Sequence, residues 1–157
     1  MNTPNNKRSL ATEECLKNTL MALLKDKELA DITVTELCDT ADIERSTFYA
    51  HFEDVSALGN ACAADIEKQL SETSHATDDF AWIFEHIKEH PEVFSIYFKL
   101  GVSKTTGDYK KIFFRTGAYS VAKMWFEEGC TEPTEEMAAI VSREYKKLFK
   151  NEATVIV

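Results

Sequence analysis

The chain has 157 residues, 44% of them apolar, and a formal net charge of −9. That length can bury a real core in one domain or two small ones, and that apolar share excludes an intrinsically disordered chain. No run of about 18 apolar residues exists to span a membrane, and the opening MNTPNNKRSLATEE has no apolar stretch for a signal peptide, so the expected location is the cytoplasm.

Residues 1–8 are polar and read as a loose arm carrying Lys7 and Arg8. A first helix is expected over Ser9–Lys27, because Leu16, Leu20, Leu23 and Leu24 recur at helical spacing. The stretch Ile32–Leu58, ITVTELCDTADIERSTFYAHFEDVSAL, then reads as two short helices joined by a tight turn, and the start of another. Thr33-Val34-Thr35-Glu36 has the form of a capping box. The Thr33 hydroxyl is expected to accept the Glu36 N–H, and the Glu36 carboxylate to reach back to the Thr33 N–H. Val34, Leu37 and Cys38 give the first short helix its apolar side. Ala41-Asp42-Ile43 forms the turn, with Asp42 in its middle place. Asp tolerates the left-handed conformation better than most residues, though less well than Gly. The second short helix is expected over Glu44–Phe52, with Ile43, Phe48 and Phe52 inward.

Two helices in this arrangement place the N-terminal residues of the second against base edges. Arg45 has the fork geometry to take guanine O6 and N7, and Thr47 can meet a thymine methyl or a phosphate. Tyr49 and His51 suit phosphate contacts, which position a protein without reading sequence. Taken singly, each residue has a plainer reading: an Arg on a short helix is commonly a solvated charge, and a Tyr beside a Phe is commonly core.

The run Ile32-Thr33-Val34…Leu37…Ala41…Ile43…Arg45-Ser46-Thr47-Phe48-Tyr49…His51-Phe52…Leu58 resembles the N-terminal domain of the TetR family of transcriptional regulators. The resemblance covers roughly the first 70 residues; beyond them only the helical character matches. It implies a homodimer on a near-palindromic operator in double-stranded DNA, probed through Lys7, Arg8, Thr33, Thr35, Arg45, Ser46, Thr47, Tyr49 and His51. It also implies a C-terminal domain that dimerises and senses a small-molecule effector. The sequence departs from the family twice: Asp42 stands where the turn usually has Gly, and Val55 where a Lys usually meets a phosphate.

Asp54 is a good N-cap for a connecting helix over 55–70, with Leu58, Cys62, Ile66 and Leu70 on its inner edge. The polar stretch 71–77 marks the domain boundary. A helix is expected from Asp78 to His90, with Phe80, Ile83, Phe84 and Ile87 in its stripe. His86 and His90 stand four apart with Glu85 and Glu89 nearby, but HExxH is absent, and solvated or capping histidines are expected rather than a metal site. Pro91 ends that helix and opens the next, which Gly101 stops; the loop to Gly107 is expected to be mobile. A long helix over Asp108–Glu128 is apolar or small around most of its circumference, which predicts burial. A last helix follows from Pro133 or Thr134 to Lys150, and the apolar tail 153–157 is too short to assign.

Eight helices and no strand give an all-α fold: an N-terminal three-helix helix-turn-helix domain (1–54), the connecting helix 55–70, and a C-terminal helical domain (71–157) for dimerisation and regulation. Gly117, Val121, Met124, Ile140, Val141, Tyr145 and Leu148 are the expected two-fold interface. Phe80, Phe84, Phe94, Tyr97, Phe98, Phe113 and Trp125 are the candidate lining of an effector pocket, against the alternative that they fill a small core.

Residues 1–58 carry six bases against eleven acids, a local balance of −5. DNA-binding domains normally carry a basic footprint. This acidity favours an alternative: a TetR-like protein that has lost DNA binding and acts through protein contacts. Cys15, Cys38, Cys62 and Cys130 are widely spaced with no CxxC, so reduced, mostly buried thiols are expected. No GxSxG, phosphate loop or Cys/His constellation suggests an enzyme, and no cofactor is expected.

Overall fold

A computed structural model describes residues 4–73, 80–101 and 108–149. Helices α1 (Pro4–Leu23), α2 (Val34–Ala41), α3 (Arg45–Tyr49), α4 (Val55–Thr73), α5 (Ala81–Glu89), α6 (Pro91–Leu100), α7 (Tyr109–Glu127) and α8 (Thr134–Phe149) make it all-α, with no strand among the described residues. None of these helices is long and apolar enough to cross a membrane. The expected boundary stretch 71–77, the loop before Gly107 and the tail 153–157 lie wholly or partly outside the described residues.

The described chain forms two compact units. One contains residues 4–69 and 95–101; the other contains 70–73, 80–94 and 108–149. Helix α4 therefore belongs to the first unit as far as Gln69, and α6 changes unit within its own length.

In the first unit, α1 begins at Pro4, five residues earlier than expected. Pro is well placed in a first turn because its missing N–H has no helical partner there. Lys7 and Arg8 are accordingly exposed helical residues rather than an extended arm. Leu16, Leu20 and Leu24 are fully buried, and the core is completed by Ile32, Leu37, Phe48, Leu58, Cys62 and Ala63. Residues of α6 join them: Ile96, Tyr97, Phe98 and Leu100 are all buried.

Two polar ties hold this unit's helices in register. The Lys17 ammonium lies 2.8 Å from both Asp65 and Glu13. Burial alone would lower its pKa, but these two carboxylates outweigh burial and raise it. Lys99 donates to the Leu24 and Lys27 carbonyls at 2.8 and 3.2 Å. α1 has ended at Leu23, four residues short of the expected Lys27, and a cation is well placed on the carbonyls beyond a helix C-terminus.

In the second unit, Trp125 is the pivot. Its ring meets Phe84 edge-on at 5.2 Å, and its indole N–H donates to the Glu132 carbonyl at 3.2 Å. Ile87, Phe94, Met137, Ala138 and Val141 are also buried. A second aromatic cluster joins Phe80, Phe114, Tyr145 and Phe149, with centroid separations of 4.9 to 5.9 Å. Within the single chain, Trp125 is the one buried residue of α7, while Phe113 and Met124 are 72% and 55% exposed.

Candidate nucleic-acid interface

The stretch from Thr33 to Phe52 is built by local chemistry. Thr33 is extended and its hydroxyl accepts the Glu36 N–H at 3.2 Å, which starts α2. Half of the capping box forms. The Glu36 carboxylate takes the Lys27 ammonium instead of returning to the Thr33 N–H, because a full charge partner competes better than one amide.

α2 stops because Asp42 enters the left-handed region, at φ 54° and ψ 46°. The Asp42 and Ile43 N–H groups both turn back onto the Cys38 carbonyl. Glu44 is extended again and caps α3 through its backbone alone.

α3 is shorter than expected, five residues rather than nine. Beyond Tyr49 the chain tightens: His51 N–H donates to the Phe48 carbonyl at 2.9 Å, and so does Phe52 N–H. The cause lies in the next element. Asp54 Oδ1 accepts the Ala57 N–H at 2.7 Å and starts α4, so the intervening residues must turn. Phe48 is fully buried and anchors α3; Ile43 and Phe52, also expected inward, are only half-buried.

With Phe48 inward, Arg45, Ser46 and Tyr49 face solvent. Arg45 and Tyr49 are four apart and therefore share a face. Tyr49 is 59% exposed and meets Phe48 edge-on at 5.4 Å, so the plainer core reading fails for it. Thr47 and His51 are half-buried, and Thr33 and Thr35 are exposed at the start of α2.

The charge around this face is mixed. A hollow of about 450 Å³ at the turn is lined by Cys38, Asp39, Asp42, Ile43, Glu44 and Arg45. One guanidinium there sits among three carboxylates, and the Ser46 hydroxyl donates to Glu44 at 3.3 Å. The Cys38 thiol registers the field: burial and then Asp39 push its pKa up, while Arg45 pulls it down by less.

The second unit carries a separate feature, an apolar groove of about 430 Å³ between α7 and α8. Gly117, Val121, Ile140, Val141 and Leu148, five of the seven residues expected at a two-fold interface, line it. Met124 is exposed on α7, and Tyr145 sits in the aromatic cluster. The candidate effector-pocket residues divide between the two units. Phe84, Phe94 and Trp125 are packed solid, Tyr97 and Phe98 belong to the other unit, Phe80 caps the aromatic cluster, and only Phe113 lines the groove. Phe114, Ala118, Glu144 and Lys147 also line it; the last two are charged, so the apolar stripe of the last helix does not mark them.

No family model matches the chain, and no curated protein matches it.

Proposed function

We propose that the chain is a TetR-like transcriptional regulator, a repressor that binds double-stranded DNA as a homodimer. The observation that carries this reading is the face of α3: Phe48 is buried while Arg45, Ser46 and Tyr49 are exposed at the N-terminal end of a short helix that follows a tight turn. In this reading α3 enters the major groove, Arg45 reads a guanine, and Tyr49 with Thr33 and Thr35 holds phosphates. The α7–α8 groove supports the dimer. A Cβ built on Gly117 meets nothing within 4 Å, so the close approach that a mid-helix glycine permits would be made by a second copy. Two copies related by a two-fold axis read half-sites about 34–36 Å apart, hence a near-palindromic operator.

The test is fluorescence anisotropy of the purified protein with DNA flanking its own gene, at about 50 and 200 mM salt, beside Arg45→Ala. Sequence-specific binding that weakens with salt, and that loses about 1–3 kcal/mol of discrimination at one base pair in the variant, is expected. A folded dimer that binds no DNA at the lower salt overturns the reading.

The carboxylates around Arg45 favour a second reading, the same architecture acting through protein contacts. Val55 supports it too: it is buried at the start of α4, where the TetR resemblance would put a phosphate-binding lysine. The absence of DNA binding just described is the outcome that selects it.

A further inference from the structure

We propose that His86, Glu89 and His90 form a binding site for a divalent transition-metal ion of the Zn²⁺ class. One potential ligand atom from each of the three residues lies within 4.8 Å of the other two. Zinc hydrolases use the order His-x-x-Glu-His on a helix with the two imidazoles as ligands, because imidazoles four residues apart converge on one ion; Glu89 as a third ligand rests here on its own proximity.

The two rings are held by different means. The His86 ring is half-buried and packs edge-on against the buried Phe94, at 5.9 Å. His90 lies just past the end of α5, but its N–H donates to the His86 carbonyl at 3.0 Å, which preserves the helical spacing. The ring centroids are 4.4 Å apart. Glu89 is exposed, so its carboxylate can swing inward without moving the backbone. Ligands at about 2.0–2.2 Å from zinc lie closer together than 4.8 Å, so the three side chains close on the ion as it binds.

The charge around the cluster suits a cation. Glu92 Oε1 lies 4.0 Å from His90 Nδ1 and adds a carboxylate beside the cluster. The nearby Lys88 ammonium is drawn over the Trp125 ring, at 5.9 Å from its centroid. Two imidazoles and one carboxylate select zinc, copper, nickel or cobalt over the all-oxygen preference of calcium and magnesium. Three protein ligands leave a position for water. The proposal concerns the second unit alone and does not depend on DNA binding.

The experiment is titration of the full-length protein with Zn²⁺ alone, by competition with a chromogenic chelator, followed by imidazole-resolved NMR. Saturable binding of one ion per chain is expected, with the ring signals of His86 and His90 shifted and those of His51 and His75 unmoved. Losing one outer-shell partner typically costs about 10–100-fold in metal affinity. The double substitution His86→Ala/His90→Ala is therefore expected to lose at least about 100-fold, and Glu89→Gln at least about 10-fold. Glu89→Gln changes an exposed side chain and keeps the test valid if the double variant does not fold. No saturable binding, binding unchanged in Glu89→Gln, or binding abolished by Cys15→Ser overturns the proposal.

Discussion

Asp42 shows how one residue sets a geometry at a cost. An L-residue in the left-handed region loses about 1–2 kcal/mol, and Asp recovers part of it through local hydrogen bonding. Gly has no such penalty but loses more backbone entropy on folding. Asp42→Gly is therefore expected to be neutral to stabilising by about 1 kcal/mol, a rise in Tm of up to about 2–4 °C. A thermal melt checks this; a clear fall in Tm would mean that the Asp42 side chain itself holds the turn. Cys62 makes a prediction in pH. Burial pushes its thiol from 9.0 up to about 11. The folded state thus holds the proton more tightly than the unfolded chain, so the stabilisation is complete below pH 9 and is lost as pH rises through 11. Cys38 and Cys130 are shifted in the same direction, also chiefly by burial. Urea unfolding at pH 8 and pH 11 should show the loss, and Cys62→Ala should flatten it while lowering stability at both.

At the scale of elements, the short α3 is a compromise between neighbours. Asp42 stops α2 on one side and Asp54 starts α4 on the other, which leaves room for little more than one helical turn around Phe48. Five residues cannot sustain a helix in water, so α3 exists through the burial of Phe48. α7 has the opposite character. It is long and well capped, with Asp108 Oδ1 accepting the Lys110 N–H at 2.9 Å, yet it leaves Phe113, Gly117 and Met124 uncovered. Gly117→Arg should leave the chain's own packing intact, since the position is open, and should abolish a dimer that closes over it. Light scattering after size exclusion would show a monomer with wild-type helicity; an unchanged dimer would move the interface elsewhere.

For the whole molecule, charge opposes the proposed entry of α3 into a DNA groove. The net charge of −9 repels phosphate at long range, and among the described bases up to residue 58 only Lys7, Arg8, Lys25 and Arg45 have no carboxylate within ion-pair distance. Non-specific affinity comes mainly from phosphate neutralisation, so whatever DNA binding the chain has must come from a few well-placed contacts.

What the sequence determined by itself was the punctuation. Thr33, Asp54 and Asp108 cap helices, Asp42 turns left-handed, Pro91 opens α6 and Gly101 closes it at φ 80°. Each of these depends on residues within about four positions, where side-chain chemistry and backbone sterics act without reference to the rest of the chain. The core stripe Leu16, Leu20 and Leu24 was legible for the same reason, since helical period alone places them together. What only the tertiary structure decided was partnership. Tyr97 and Phe94 look alike in sequence, yet Tyr97 belongs to the first unit, donating to Glu67 at 3.2 Å, while Phe94 packs on His86 in the second. Apolar attraction has no direction and no preferred partner, so an aromatic residue announces that it will be buried without saying against what. The same gap left the α7–α8 groove half-named and the choice between Glu85 and Glu89 beside His86 and His90 open. Those sites arise where separate rotamers and separate helices converge, and convergence is a property of the folded chain.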